Sequence, residues 1–494
     1  MKQIFFYFLL AAMFSFFISC AKNDNLLPVP KIDYGMAVLQ GKISRNIPDS
    51  LKIKSFEIVY FTAICSEPVF DEILVNADGT FSYSVDLYAI TIASVKSSIY
   101  SNSIVLIPND TSEINILYDD KGEKHITMKN SLGLTSENMD KWYKVFVNLI
   151  YSDAVKYQDS ITNTFTNAPD IFAKKIIENI NNVIDTMSDN RNLNKTEKIL
   201  FEYCAKSMYL CNVLLESDFL HKHFSFNDKN SSAYFAELKK IDLSNAYYIY
   251  SGWYGKMAQM LLEDSILNFP KIAETTPEQW LKNSNEKILM FLQNRNTLFD
   301  NMLVANAYYL QLKKRQLLTQ IQKQNIKSYF ENKNYVQFLN NENNTLEELL
   351  QKDTNYLKIN ETPPVDKTKL MDAIIVKYTG NVVVVDFWAT WCAPCQRAMQ
   401  LIEDIKKDYA NKNVKFVYIT NPSSPKDQWE MKIRGIGGEQ YFLNTIQYNY
   451  ISALYEFDAI PTYLIFDKKG KLSQKFTGYP GNETMQEVIE KAMK

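Results

Sequence analysis

The chain has 494 residues, enough for about three domains of ordinary size. Hydrophobic residues make up 46% of it and charged residues 22%, so most of its length can bury a core. With 54 Lys+Arg against 56 Asp+Glu, the net charge of -2 gives no electrostatic case for nucleic acid, which needs a clustered basic surface.

The N-terminus predicts an address rather than a folded element. Lys2 gives a positive start, and residues 4–18 are nearly all apolar, with Phe5, Phe6, Phe8, Phe14, Phe16 and Phe17 prominent. That run is short for a membrane span of about 20 residues. It fits the apolar region of a secretory signal peptide over 1–19. It ends at Phe17-Ile18-Ser19-Cys20, followed by polar Ala21-Lys22-Asn23-Asp24. The junction resembles a bacterial lipobox, although Phe17 stands where Leu is usual. The resemblance implies lipidation of Cys20 and a lipid anchor on the periplasmic face of the cell envelope, held by several acyl chains. The alternatives are an ordinary signal peptide, or an uncleaved anchor, with Cys20 incidental. No other segment approaches the roughly 18 apolar residues that a span needs.

Six cysteines need accounting in an exported chain. Cys20 belongs to the anchor, and Cys392 and Cys395 stand three apart. Cys65, Cys204 and Cys211 remain. The last two are seven apart in a predicted helix, which is about 10 Å of rise and beyond the roughly 7 Å limit for a bridge. These three are expected to be buried small hydrophobes rather than a disulfide scaffold.

Residues 20–35 predict a polar tether carrying Asn23, Asp24, Asn25, Pro28 and Pro30. Residues 36–130 carry strand signals at 37–43, 56–61, 81–85, 104–107 and 113–118, with turns at Asn76-Ala77-Asp78-Gly79 and Pro108-Asn109-Asp110. Short strands at this spacing predict a small β-sandwich. The segment is similar, in pattern and domain order, to the β-rich modules that precede thioredoxin domains in Bacteroidota-type lipoproteins. From 135 to 358 the pattern is helical, with helices expected over 170–187, 196–216, 281–299 and 301–324. No repeat has a clear period, so no solenoid is predicted. His221 and His223, two apart, would point to different sides of a helix, and His125 stands alone. No metal centre is expected. Thr362-Pro363-Pro364-Val365 marks a break, and 360–494 alternates between strand and helix signals, which predicts an α/β domain.

Val382-Val383-Val384-Val385-Asp386-Phe387-Trp388 predicts a central strand buried on both faces. Cys392-Ala393-Pro394-Cys395 follows, and Ala398, Ile402, Ile405 and Tyr409 then have helical spacing. Pro394 fits a first helical turn. The cysteines therefore belong at a strand-to-helix junction, where a helix N-terminus favours a thiolate. Cys392 is the expected nucleophile, with the lowered pKa and the more exposed sulfur. Cys395, one turn on, is the expected resolving thiol. A lone C-x-x-C also serves zinc, which needs two more ligands, and residues 360–494 contain no histidine and no further cysteine. A structural disulfide is the other possibility, and it leaves the surrounding residues unexplained.

Those residues carry a family resemblance. Asp386-Phe387-Trp388-Ala389-Thr390-Trp391-Cys392-Ala393-Pro394-Cys395 closely resembles the thioredoxin active-site segment, and Ile460-Pro461-Thr462 resembles the family's cis-proline loop. Asp467-Lys468-Lys469-Gly470 fits the hairpin turn after it, Gly478 the small residue by the substrate groove, and 484–493 the closing helix. The resemblance covers about 360–494 and is greatest to TlpA/ResA-type anchored proteins, which insert an element where 424–446 lies. It implies a thioredoxin fold, a redox disulfide between Cys392 and Cys395, a cis bond at Ile460-Pro461, and a groove supported by Trp391, Pro394, Ile460 and Pro461. The two sulfurs carry the electrons, so no cofactor is implied. Many TlpA/ResA-type proteins place a glutamate just after the second cysteine. Here that position is Ala398, so the buried acid is Asp386, expected to have a raised pKa and to relay a proton for Cys395. The alternative for Asp386 is a merely hydrogen-bonded buried group.

The implied function is a membrane-anchored periplasmic thiol–disulfide oxidoreductase acting mainly as a reductase, with protein disulfide or thiol clients and a membrane thiol electron donor. The alternatives are a binding lipoprotein whose front domains recognise a protein or an envelope ligand, with redox activity secondary, and a disulfide isomerase.

Overall fold

The computed structural model describes residues 27–44, 53–119, 121–148, 168–190, 193–215, 228–351 and 357–494. The expected signal segment, Cys20, His221 and His223 lie outside these residues.

Eight strands form the N-terminal β-sandwich: β1 (Gly35–Ile43), β2 (Ser55–Phe61), β3 (Pro68–Leu74), β4 (Thr80–Leu87), β5 (Thr91–Lys96), β6 (Ser101–Leu106), β7 (Thr111–Tyr118) and β8 (Lys124–Lys129). They make two four-stranded sheets, ordered β4-β1-β7-β8 and β3-β2-β5-β6. Period-two alternation sends Ala37, Leu39 and Ile43 from one sheet, and Phe56, Ile58 and Tyr60 from the other, into the shared core. β3 is an edge strand whose Ile73 points inward, while Glu72 and Leu74 lie on its outer face.

The helical region contains α1 (Ser136–Asn148), α2 (Pro169–Asn190), α3 (Lys195–Tyr209), α4 (Asp228–Leu238), α5 (Tyr254–Glu263), α6 (Pro277–Asn283), α7 (Asn285–Phe291), α8 (Thr297–Lys313), α9 (Gln320–Tyr329) and α10 (Lys333–Gln351). Helix α3 opens on a capping box between Asn194 and Glu197 and passes into a single π-helical stretch, Leu210–Leu214. Two expected helices are broken. The 281–299 stretch stops after Phe291, and Asn296 caps α8 by accepting from the Phe299 N–H. The 301–324 stretch stops at Lys313, Arg315 adopts a positive φ of 61°, and a Thr319/Gln322 capping box starts α9. In both cases a polar side chain satisfies the free N–H groups of a new helix start, which favours two helices over one.

Sandwich and helices share one continuous hydrophobic core, running from Leu27 to Leu346. A buried polar pair fastens them. Gln259 Nε2 donates to the Cys65 carbonyl at 2.7 Å and to Asn306 Oδ1 at 2.9 Å, and Asn306 Nδ2 donates to the Ile64 carbonyl at 2.9 Å. Gly255 lets α5 approach the same loop, because a Cβ there would lie 2.1 Å from the Ile64 oxygen. The expected tether is docked from Leu27 onward. Leu27 and Ile32 are buried, and Tyr247, Tyr250 and Asn332 donate to the carbonyls of Leu27, Pro28 and Ile32. Cys65, Cys204 and Cys211 are all buried, and desolvation pushes the Cys65 and Cys204 thiols up to about 12. His125 does not stand alone: its Nε2 lies 3.2 Å from Asp119 Oδ2 with Glu123 alongside, all three exposed.

The C-terminal region holds β9 (Leu357–Asn360), α11 (Lys367–Val376), β10 (Val382–Phe387), α12 (Ala393–Leu401), α13 (Glu403–Tyr409), β11 (Val414–Thr420), α14 (Lys426–Ile436), β12 (Gly438–Phe442), α15 (Thr445–Leu454), β13 (Thr462–Phe466), β14 (Leu472–Thr477) and α16 (Asn482–Met493). They build a six-stranded mixed sheet, β14-β13-β10-β11-β12-β9. β10 is central and buried along its whole length, parallel to β11 and antiparallel to β13. Val383, Val385 and Phe387 face one apolar layer, and Val382 and Val384 the other, which includes Ala398, Ile402, Ile405 and Tyr409. The sheet takes in β9, which precedes the Pro363-Pro364 break. The inserted stretch supplies α14 and strand β12, which bridges β11 and β9.

Candidate active site

The site lies where β10 hands over to α12. The chain between them is tied to the loop after β11. The Thr390 N–H donates to Ser424 Oγ at 3.0 Å, and Ser424 is 2.8 Å from Thr420 Oγ1. Trp391 is 62% exposed, with its indole N–H on Ser423 Oγ at 3.2 Å. Neither serine was singled out in the sequence, since a serine pair after a strand carries no distinctive spacing.

Cys392 is the N-cap of α12, and Pro394 occupies the first turn, where no backbone donor is lost. Cys392 and Cys395 are joined in a disulfide. The Cys395 N–H donates to Cys392 Sγ at 3.2 Å. Cys392 is 3% exposed and Cys395 fully buried, so the order of exposure follows expectation but the difference is small. The Ile460-Pro461 bond is cis, and the Ile460 carbonyl oxygen lies 3.7 Å from Cys392 Sγ. The Gly478 N–H donates to the Pro461 carbonyl at 2.8 Å with Gly478 at a φ of 84°, a conformation that favours glycine. The structure thus brings Trp391, Cys392, Pro394, Cys395, Ile460 and Pro461 together.

Asp386 sits on β10 with Tyr418 of β11 and Tyr463 of β13 as its register partners. It is buried, and desolvation raises its pKa to about 7, against opposing pulls from the Tyr463 hydroxyl and the Lys406 ammonium. Neither carboxylate oxygen closes a hydrogen bond of normal geometry among the described residues. Burial first, and the Asp386 charge second, hold the Tyr418 and Tyr463 phenols well above their usual range. Of these three groups, only Asp386 exchanges a proton near neutrality.

The two residues after Cys395 reach outward. Gln396 Nε2 donates to the Thr390 carbonyl at 2.8 Å, and Lys432 of α14 donates to Gln396 Oε1 at 2.7 Å. Burial lowers the Lys432 pKa, while the Glu67 charge acts the other way. Glu67 itself accepts from Lys313 Nζ at 2.7 Å and from Tyr309 Oη at 3.0 Å. Arg397 donates to Glu72 Oε2 of β3 at 3.2 Å and lies 3.7 Å from Asp71 Oδ1. The active-site helix is therefore in direct contact with the β-sandwich.

A protein-family model described as Thioredoxin-like matches residues 380–472. A thioredoxin of Staphylococcus aureus is 30% identical over 117 residues, which is 23% of this chain and 86% of that protein. The thioredoxin-like protein YneN of Bacillus subtilis is 29% identical over 125 residues, 25% of this chain and 70% of its own length. A solved thiol:disulfide interchange protein of the thioredoxin family from Chlorobium tepidum is 22% identical, covers 24% of this chain and 83% of its own, and has a TM-score of 0.22. Through residues 380–472, with their disulfide at a helix start beside a proline loop, the chain belongs to the thioredoxin family and carries a thioredoxin-like disulfide oxidoreductase domain.

Proposed function

We propose that this protein is a lipid-anchored periplasmic oxidoreductase that reduces protein disulfides through the Cys392–Cys395 dithiol. The observation that carries the reading is Cys392 Sγ at the N-terminus of α12, with a backbone donor at 3.2 Å and the Ile460 carbonyl at 3.7 Å. A helix N-terminus stabilises a thiolate, and the Ile460 backbone beside it can pair with an extended client chain.

In the reduced protein, the Cys392 thiolate attacks one sulfur of a client disulfide. The client S–S bond breaks, a mixed disulfide forms, and the leaving client thiolate takes a proton. Cys395 then gives its proton to Asp386, whose pKa of about 7 suits an acceptor at neutral pH. The Cys395 thiolate attacks Cys392 Sγ, the client leaves with its second thiol, and the intramolecular disulfide reforms with two electrons transferred. A second turnover requires a dithiol donor, which for an anchored protein is a membrane thiol relay. The support for the envelope address is the apolar run over residues 4–18 ending in Cys20.

Equilibration of the Cys392–Cys395 couple with glutathione tests the direction. A potential near -270 mV, in the thioredoxin range, is expected, and one near -120 mV would make the protein an oxidant. A role for the front module in client choice is favoured by the Arg397 contact with Glu72.

A further inference from the structure

Ion pairs cross from the β-sandwich to the thioredoxin domain at two places, one on the active-site helix and one at the start of α16. Arg397, on Asp71 and Glu72, belongs to the same helix that Cys392 caps. Lys54 reaches Glu483, in the first turn of α16, at 3.9 Å. Glu483 is five residues after Gly478, whose N–H holds the cis-proline peptide. The Lys54 pair is exposed and marks proximity more than strength.

Leu74 lies between these two contacts. It follows Glu72 by two residues on the outer face of β3, roughly 6.6 Å along the strand. The next residue, Val75, donates its N–H to the Lys54 carbonyl at 2.9 Å. Leu74 is nevertheless 67% exposed. An apolar side chain left open on a strand whose neighbouring residues contact the thioredoxin domain is a place for a partner side chain. Leu74 and Lys54 also line an open cleft of about 990 Å³ at the end of the sandwich, with Ile43, Ile53 and Val75. Trp391, next to Cys392, is similarly open, at 62%.

Resting on the oxidoreductase reading, we infer that the outer face of β3 is a second wall of the client site. The occupant is an extended, apolar polypeptide segment flanking the client cysteine. That segment pairs with the Ile460 backbone at the cysteines, passes Gly478, and sets an apolar side chain against Leu74. Arg397 with Glu72 acts as the positioning pair that holds this wall at the groove. A small disulfide engages Cys392 without reaching Leu74, so the wall discriminates unfolded or loosely folded protein disulfides from small ones.

The test uses the pre-reduced full chain in single turnover against insulin and against dithiobis-nitrobenzoate. Leu74→Asp is expected to lower the ratio of the insulin to the small-disulfide rate constant about tenfold, and Leu74→Met to restore it. Arg397→Glu alone is expected to lower the ratio, and Arg397→Glu combined with Glu72→Arg to recover it. An unchanged ratio in Leu74→Asp, or in Arg397→Glu, overturns the inference. A wild-type chain that reduces neither substrate overturns the oxidoreductase reading, and this inference with it.

Discussion

The backbone N–H of Cys395 points at the sulfur of Cys392, 3.2 Å away, so the second active-site residue solvates the first. The donor is one that the helix start leaves unused in any case. In the proposed mechanism the two sulfurs differ in role. Cys392→Ser is expected to reduce disulfide turnover to background. Cys395→Ser is expected to accumulate client mixed disulfides through Cys392, visible as dithiothreitol-sensitive adducts on non-reducing gels and absent from the double variant.

Asp386 should impose a pH dependence on stability. Its folded pKa of about 7 exceeds an unfolded value of about 4. Between those values the folded state binds the extra proton. Stability is therefore highest below about pH 4 as far as this group is concerned, declines as pH rises to about 7, and is level above. Asp386→Asn removes the decline and is expected to stabilise the domain above pH 7 by on the order of 4 kcal/mol. Urea denaturation of both proteins at pH 5 and pH 8 measures it, and an equal gap at the two values would contradict the assignment.

The same substitution should slow catalysis. With the acceptor gone, release of the client from Cys392 by Cys395 is expected to slow by about 100-fold at pH 7. The pH–rate profile should lose its inflection near neutrality. Unchanged resolution kinetics would return Asp386 to a purely structural group.

The continuous core of sandwich and helices predicts cooperative unfolding of the two together. Asn306→Leu leaves the Ile64 carbonyl without its donor and is expected to cost about 1–3 kcal/mol. Gly255→Ala is expected to cost more, because its Cβ would meet the Ile64 oxygen at 2.1 Å. Both should shift the front transition in calorimetry while leaving the thioredoxin-domain transition in place. Independent melting of sandwich and helices would refute the shared core.

Thiol labelling checks the remaining cysteines. Desolvation holds the Cys65 and Cys204 thiols near 12, so almost no thiolate exists at pH 8. Iodoacetamide applied to the reduced native chain is expected to spare both until denaturant is added, as peptide mapping would show.

Much of the C-terminal domain was legible because its signals are local. An apolar run with one acid, Val382 to Phe387, can only be a central strand, and Cys392 to Cys395 followed by helical spacing fixes a strand-to-helix junction. The break in the helix around 315 was also legible, in the Thr319/Gln322 capping box, but apolar periodicity on either side masked it. The docked segment at Leu27 was not legible, since two apolar residues in a polar stretch show no preference for order until Tyr247, Tyr250 and Asn332 meet their carbonyls.

By itself, then, the sequence determined the redox chemistry, the cysteine pair and the buried acid, because each depends on neighbours within a few residues along one strand and one helix. The tertiary structure alone decided that Arg397 meets Glu72, a residue 325 positions away, and that Lys432 meets Gln396. Such contacts follow from how elements distant along the chain pack, and no local pattern encodes them. The cysteine pair could be read from a dozen residues, whereas the contact beside it between Arg397 and Glu72 exists only once the sandwich is folded against the active-site helix.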